Sequence, residues 1–526
     1  MTQNRRIALN IVATYGRSLY AMVIGLFTAR WTLMSLGEVD YGLLGVVGGL
    51  IGFVAFFNNL MAGAVGRFYA FAVGEARKAG NEDVGLENCR RWFNVAVLIH
   101  TVLPTILIAI GYPVGVWAVE NYLVIPPDRI EACIWVWRFS CIACFMGMVN
   151  VPFQAMYTAK QEIAELTIYG FVTTTLHAGF LYYMITHPGF WLVKFSAWTC
   201  FLGVVPQLLI CTMAFVHYRE CCIRLPYLWD FPRMKDLTIY AGGRFICALA
   251  QLFSGKGLVI AVNKILGPAC NAAITLGNTV ASQAENFKAS FLGAMYPVIT
   301  SVTGSGDLDQ MRTLAYRTCK LATFTLMIFA IPVFVEADNL FVLWLKNPPK
   351  GTSSFCMFVL LTNLVGTLTD GHWMAIFAKG RVTLFNLCES FGYFLGLVVA
   401  IVLMKQGFGI VAVGVGFLVG QIYALFVKLI LGRRYCGLSA LHWMGRIFIP
   451  LLFAGLISFA IGICVRHVMA ATVYRILVST ICVEPVLLGL VWSLVLDQNE
   501  RLYIKDKAKT RLISLRSMAC HGWAER

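Results

Sequence analysis

The chain reads as an all-α polytopic membrane protein of about 14 transmembrane helices, in two parallel six-helix lobes with two additional C-terminal helices. Three observations predict this. The 526 residues are 59% apolar and only 13% charged, well outside soluble averages. Nearly uncharged runs of helix length recur from end to end, as in residues 395–404 and 411–431 with a short loop between them; such runs suit a bilayer core about 30 Å thick. Finally, two stretches about 230 residues apart say nearly the same thing. Tyr15-Gly16-Arg17, Arg30, Leu36-Gly37, Gly74 and Cys89-Arg90-Arg91 are echoed by Gly242-Gly243-Arg244, Lys256, Leu266-Gly267, Gly304 and Cys319-Lys320.

Taken in order, windows of about 20 residues place helices at 10–33, 42–72, 93–119, 132–157, 164–186 and 195–217, then 237–264, 271–301, 319–344, 355–377, 383–404 and 410–431, and last 447–466 and 473–496. The first follows a basic Asn4-Arg5-Arg6 segment but is too long, and carries too many Arg, for a cleaved signal; it is expected to stay as a helix. The second contains a glycine-rich run, Gly45–Gly52, that reads as close helix packing; no Lys-Ser/Thr follows it, as a phosphate loop would require. The fourth holds Cys141 and Cys144 in a CxxC with no partner motif, so its cysteines read as small packing residues. The eighth is the weakest candidate, because Asn278, Thr279, Ser282, Gln283, Glu285, Asn286, Lys288 and Ser290 crowd its middle.

The repeat extends to Ala159-Lys160 after the fourth helix and Ala378-Lys379 after the tenth. Each half therefore holds six helices. Six is even, so the halves share an orientation and the repeat axis lies along the membrane normal. The expected domains are an N-terminal lobe at 1–217, a cytoplasmic linker at 218–236, a C-terminal lobe at 237–431, two extra helices within 432–496 and a basic tail at 497–526. Lys and Arg in one set of loops outnumber those in the other by about four to one, which makes the first set cytoplasmic and puts both termini inside. The net charge of +16 is thus mainly a topology signal. The tail can also meet anionic lipid headgroups. Basic residues spread over many loops, without a binding motif, argue against nucleic acid.

An intramembrane charge is costly, so repeated ones point to function. Arg17, Arg67 and Arg244 fall at similar depths, and guanidinium groups grip phosphate oxygens bidentately; the competing reading is snorkelling to headgroups. Arg30 lies about 20 Å along the helix from Arg17, so it serves a later position on a path or snorkels outward. Lys256 is its counterpart in the seventh helix. Asn278, Ser282 and Glu285 share one helix face that should line water. Lys288, three residues from Glu285, either pairs with it or contacts substrate, leaving Glu285 to respond to a proton or cation. Asp370 is the other candidate for ion coupling. Glu484 reads as a coupling-ion site or a helix-to-helix salt bridge, Glu389 near an inner helix end reads as structural, and His100 and His177 read as hydrogen-bonded to neighbouring helices. No catalytic constellation, metal cluster or nucleotide fingerprint is seen, so neither enzyme activity nor a cofactor is expected.

Leu36-Gly37-Glu38-Val39-Asp40-Tyr41-Gly42, Asn58-Asn59, Arg67-Phe68-Tyr69 and Gly74-Glu75 resemble the amino-terminal signature of polysaccharide repeat-unit flippases. Val151-Pro152-Phe153-Gln154-Ala155 with Ala159-Lys160-Gln161-Glu162 is similar to that family's segment between helices four and five. The family belongs to the superfamily of multidrug and toxin extrusion proteins and lipid II flippases. The likeness spans residues 8–170, weakens through helices seven to eleven and is absent from the tail. It implies a V-shaped pair of lobes in a bacterial inner membrane, moving undecaprenyl-pyrophosphate-linked oligosaccharide from the inner to the outer leaflet by alternating access. It also implies membrane lipid, a glycan polymerase and glycosyltransferases as partners. A cationic-cavity role carries over to Arg17, Arg67 and Arg244 only. The alternative is a cation-coupled exporter of organic cations, which prefers acidic cavity walls.

Overall fold

The computed structural model describes residues 3–79, 82–160, 162–242, 245–498 and 500–502. Its helices are α1 (Gln3–Ala79), α2 (Glu82–Trp117), α3 (Ile130–Val149), α4 (Val151–Ala159), α5 (Ile163–Thr186), α6 (Leu192–His217), α7 (Leu225–Leu228), α8 (Phe231–Gly242), α9 (Phe245–Leu252), α10 (Leu258–Leu266), α11 (Pro268–Gly304), α12 (Leu308–Leu345), α13 (Thr352–Thr367), α14 (Asp370–Ala378), α15 (Val382–Lys405), α16 (Val411–Cys436), α17 (Ala440–Trp443), α18 (Ile449–Val468) and α19 (Val473–Leu490). No strand occurs among the described residues. Backbone groups in hydrocarbon must be satisfied within their own segment, and helices do this.

The expected helical segments all fall on helix, but the count of spans differs. Ten stretches among the described residues are long and apolar enough to cross a membrane, and α13 with α14, bent by 47°, makes an eleventh. The first two expected helices both lie in α1, parted by the kink at Gly37, and the apolar part Tyr20–Phe56 counts as one stretch. Neither α5 nor α11 is among the ten. The first carries Thr173, Thr174, Thr175 and His177, the second the polar middle noted above.

The duplication has a geometric counterpart. Gly37 interrupts α1 at φ 76° and ψ 172°, and Gly267 separates α10 from α11 at φ 86° and ψ 174°. Only glycine takes this conformation without strain. Further along, α4 and α14 are both nine residues long and end just before Lys160 and Lys379. Each half thus breaks one helix, after Val149 and after Thr367.

Two compact units are distinguished. One comprises Met1–Gln283, Trp344–Val359 and Thr383–Ala424; the other comprises Ala284–Leu343, Leu360–Val382 and Leu425–Arg526. This is a partition by compactness, and it differs from the repeat boundaries at 1–217 and 237–431. In the first unit Leu43, Val46 and Val47 of α1 pack with Trp137 and Met148 of α3 and Leu192 of α6. In the second, Met327 and Ile331 of α12 pack with Leu451 of α18 and Val483 and Leu487 of α19. Apolar side chains also face outward, among them Ile110, Val216 and Phe426, as lipid contact requires.

Within the first unit the glycine-rich face of α1 meets the helices around Gly267. A Cβ at Gly42 would overlap the carbonyl oxygen of Pro268, one at Gly45 would lie 3.2 Å from Thr275 Oγ1, and one at Gly52 would lie 2.8 Å from Lys256 Cγ. The close packing expected of Gly45–Gly52 is present.

Candidate functional site

Charged side chains within the helices form several separate groups. In the second unit, Asp370 opens α14 directly after the α13–α14 break. Lys288 of α11 places Nζ 3.5 Å from Asp370 Oδ2, and Lys428 of α16 places Nζ 3.8 Å from Asp370 Oδ1. The Lys288, Asp370 and Lys428 side chains are only 10%, 13% and 7% exposed. Glu285 lies one turn before Lys288, with Oε1 2.5 Å from its Nζ, so the pair expected from their spacing forms. Glu285 is the most open member, at 39%.

The backbone around Asp370 is fixed from two sides. Gly371 sits against the carbonyl of Ala315 in α12 so closely that a Cβ would overlap it. A Cβ at Gly432 of α16 would lie 2.9 Å from His372 Cδ2. His372 is fully buried, with Nδ1 3.6 Å from Cys319 Sγ. Yet Asp370 Oδ2, Glu285 Oε2 and His372 Nε2 are buried without a hydrogen bond among the described residues. Buried polar atoms normally have partners, and among the described residues Asp370 Oδ2 has only its ion pair with Lys288.

The other sequence candidates are dispersed. Arg17 and Arg67 belong to α1, but their side chains lie outside the described residues, as does the whole of Arg244. Arg30 is half-buried and has no ion pair among the described residues. Lys256 is exposed in a π turn, Phe253–Gly257, with its stem against Gly52. Asn278 and Ser282 are exposed on α11, and Ser282 donates to the Thr279 carbonyl at 2.9 Å. The structure thus joins Glu285, Lys288 and Asp370, and does not bring Arg30, Lys256, Asn278 or Ser282 to them by any described contact.

Four intramembrane charges were missed. Lys428 is a lone cation in a long apolar run, and that isolation was the available signal. Arg138 of α3 donates from Nε to Tyr112 Oη at 3.1 Å and lies over the Trp135 ring. Glu336 of α12 is 1% exposed and accepts from Arg475 of α19, Nη2 at 2.8 Å and Nε at 3.0 Å. Among the described residues no group of three or more His, Cys, Asp or Glu could hold a metal ion.

Known structures share this architecture. An inward-facing multidrug-resistance transporter of the MATE family in the MOP superfamily aligns with a TM-score of 0.63 at 14% identity, over 81% of this chain and 98% of its own. The lipid II flippase MurJ, in an inward closed conformation, aligns with a TM-score of 0.64 at 11% identity, over 92% and 98%. A MOP-superfamily transporter from Pyrococcus furiosus, described as having a binding pocket of reverse polarity, gives 0.56 at 15%, over 82% and 95%. The fold is that of the MOP-superfamily transporters. The resemblance read from the sequence is met at this level. No family model and no curated protein matches the chain.

Proposed function

We propose that this protein is a multi-pass transporter of a bacterial inner membrane, with both termini cytoplasmic. It flips undecaprenyl-pyrophosphate-linked oligosaccharide to the outer leaflet for surface polysaccharide synthesis. One observation supports this over other cargoes: two buried lysines from different helices converge on a helix break in a chain of MOP fold. Discontinuous helices form binding sites in transporters, and fixed cations suit a diphosphate. Arg17, Arg67 and Arg244 add cationic walls in this reading, and Arg30 and Lys256 serve positions further along. Asn278 and Ser282, exposed on α11, offer hydrogen bonds to sugar hydroxyls. Asp370 and Glu285 carry the coupling charge. The lipid tail stays in the bilayer while the lobes rock about the headgroup. Glycosyltransferases that build the glycan and a polymerase that extends it are the partners this activity needs.

The alternative, export of organic cations, would use Asp370 and Glu285 as the cargo's counter-charges. The two readings separate in proteoliposomes loaded with a fluorescent lipid-linked oligosaccharide. A flippase renders that sugar accessible to an impermeant glycosidase on the far side, and the Arg17→Ala, Arg244→Ala double variant slows this at least tenfold, about 1.4 kcal/mol in barrier. Unchanged flipping by a correctly inserted double variant would remove the arginines from the site. Uptake of a quaternary ammonium dye with no sugar movement would favour the exporter.

A further inference from the structure

Asp370 is gripped more loosely than a structural ion pair requires. Its separations from Lys288 and Lys428, 3.5 Å and 3.8 Å, exceed the roughly 2.7–2.9 Å of a well-made charge-assisted hydrogen bond. The backbone at the start of α14 is packed tightly, Gly371 against α12 and His372 against α16. Each lysine carries its ammonium on a flexible four-carbon stem. The site is therefore a buried acid between two lysines, one of them also paired with Glu285. It stands at the N-terminus of a nine-residue helix, whose dipole favours negative charge at that point.

A phosphate group offers neighbouring anionic oxygens like those of a carboxylate, with more charge. We propose that Asp370 is a place-holder: its carboxylate occupies a two-lysine anion site, and a phosphate of an incoming ligand takes the lysines from it. That the ligand is a lipid-linked diphosphate rests on the function proposed above; the displacement itself does not. When Lys288 and Lys428 turn to the phosphate, Asp370 becomes a buried carboxylate with no cation, and such a group takes up a proton. The titratable groups clustered with it are then Cys319 of α12, His372 on its own helix, which lies 3.6 Å from the Cys319 thiol, and Glu285, one turn before Lys288. Anion binding and proton uptake thereby become one event: the proton adds to an Asp370 oxygen, and the lysines keep their charge throughout.

The test uses the full chain in lipid nanodiscs, with inorganic pyrophosphate as probe and titration calorimetry as readout. Asp370→Asn should bind pyrophosphate about tenfold tighter than the unaltered protein, since an internal competitor has been removed. Lys428→Gln and Lys288→Gln should each bind it at least about tenfold more weakly. Equal affinity in Asp370→Asn and the unaltered protein would overturn the proposal, as would unweakened binding by Lys428→Gln. Should Asp370→Asn not survive purification, infrared difference spectra of the unaltered protein decide. Pyrophosphate must raise a protonated-carboxyl band that Lys428→Gln lacks, and its absence from the unaltered protein overturns the place-holder. Farnesyl pyrophosphate in the same assay identifies the source: tighter binding than inorganic pyrophosphate marks a lipid headgroup, and equal binding overturns that assignment. Flipping of lipid-linked sugar with no effect of Asp370→Asn on pyrophosphate affinity would sink the place-holder and spare the transport reading. The expected affinities with no sugar movement would do the reverse.

Discussion

At the scale of single residues, the charges inside this protein separate by how closely they pair. Glu336 and Arg475 are a tight pair through Glu336 Oε2, while Oε1 is buried without a hydrogen bond among the described residues. Two guanidinium nitrogens reach Glu336 Oε2, Asn339 donates to the same oxygen at 3.1 Å, and Arg475 Nη1 also donates to the Met469 carbonyl. A buried pair like this is costly to break and cheap to replace whole. Arg475→Ala should lower stability by about 3–5 kcal/mol, while Glu336→Leu with Arg475→Met should be nearly neutral. Thermal unfolding in detergent checks both. A double variant as unstable as the single one would show that the pair supplies more than mutual charge compensation. The contrast with Asp370 lies in distance, because there the two ammonium groups stand at 3.5 Å and 3.8 Å. That contrast could not be read from the sequence. Glu285 and Lys288 were visible as an i, i+3 pair, but nothing local says that Lys288 also reaches a residue 82 positions later, or that Lys428 comes to the same acid. Such pairings are set by which helices pack together, and packing depends on residues far from either partner.

At the scale of elements, far more was legible. Apolar run length places the helices, since the bilayer fixes what length is needed. The Leu-Gly repeat marked two backbone breaks that share nearly the same φ and ψ, because only glycine supports that geometry cheaply. The number of spans was less legible. A polar helix such as α11 can be long yet fail as an apolar stretch, and Gly37 bends a chain without interrupting its hydropathy. The glycine face of α1 yields a paired test. Gly42→Ala would drive a Cβ into the Pro268 carbonyl, whereas Gly48 has nothing within 4 Å of such a Cβ. Gly42→Ala should therefore destabilise by about 1–3 kcal/mol through overpacking. Gly48→Ala should be neutral or stabilising by roughly 0.5–1 kcal/mol, through helix propensity. Equal melting temperatures for the two would show that α1 can move away from Pro268 at no cost, and that the face is not a fixed contact.

At the scale of the whole molecule, alternating access requires that whatever closes one end can open. Under the rocking mechanism proposed above, one contact that has to yield lies within the first unit. Asn263 is fully buried; its Oδ1 accepts from the Val124 amide at 2.9 Å and its Nδ2 donates to the Val124 carbonyl at 3.2 Å. Beside it, Lys264 donates to the Tyr122 carbonyl at 3.0 Å. This clasp joins the segment after α2 to α10, elements from opposite halves of the repeat, and it lies beside the Gly42–Pro268 contact at the start of α11. Three hydrogen bonds of about 1 kcal/mol each are strong enough to favour a closed end. They are weak enough for a ligand with a few kcal/mol of differential binding to open it. Val124→Cys with Asn263→Cys, joined by a short thiol-reactive cross-linker, should hold that end shut and stop flipping of lipid-linked sugar. Uncross-linked protein and either single variant should keep working. Full activity after complete cross-linking would mean that these halves never part there, and transport by rocking of the lobes would have to be given up.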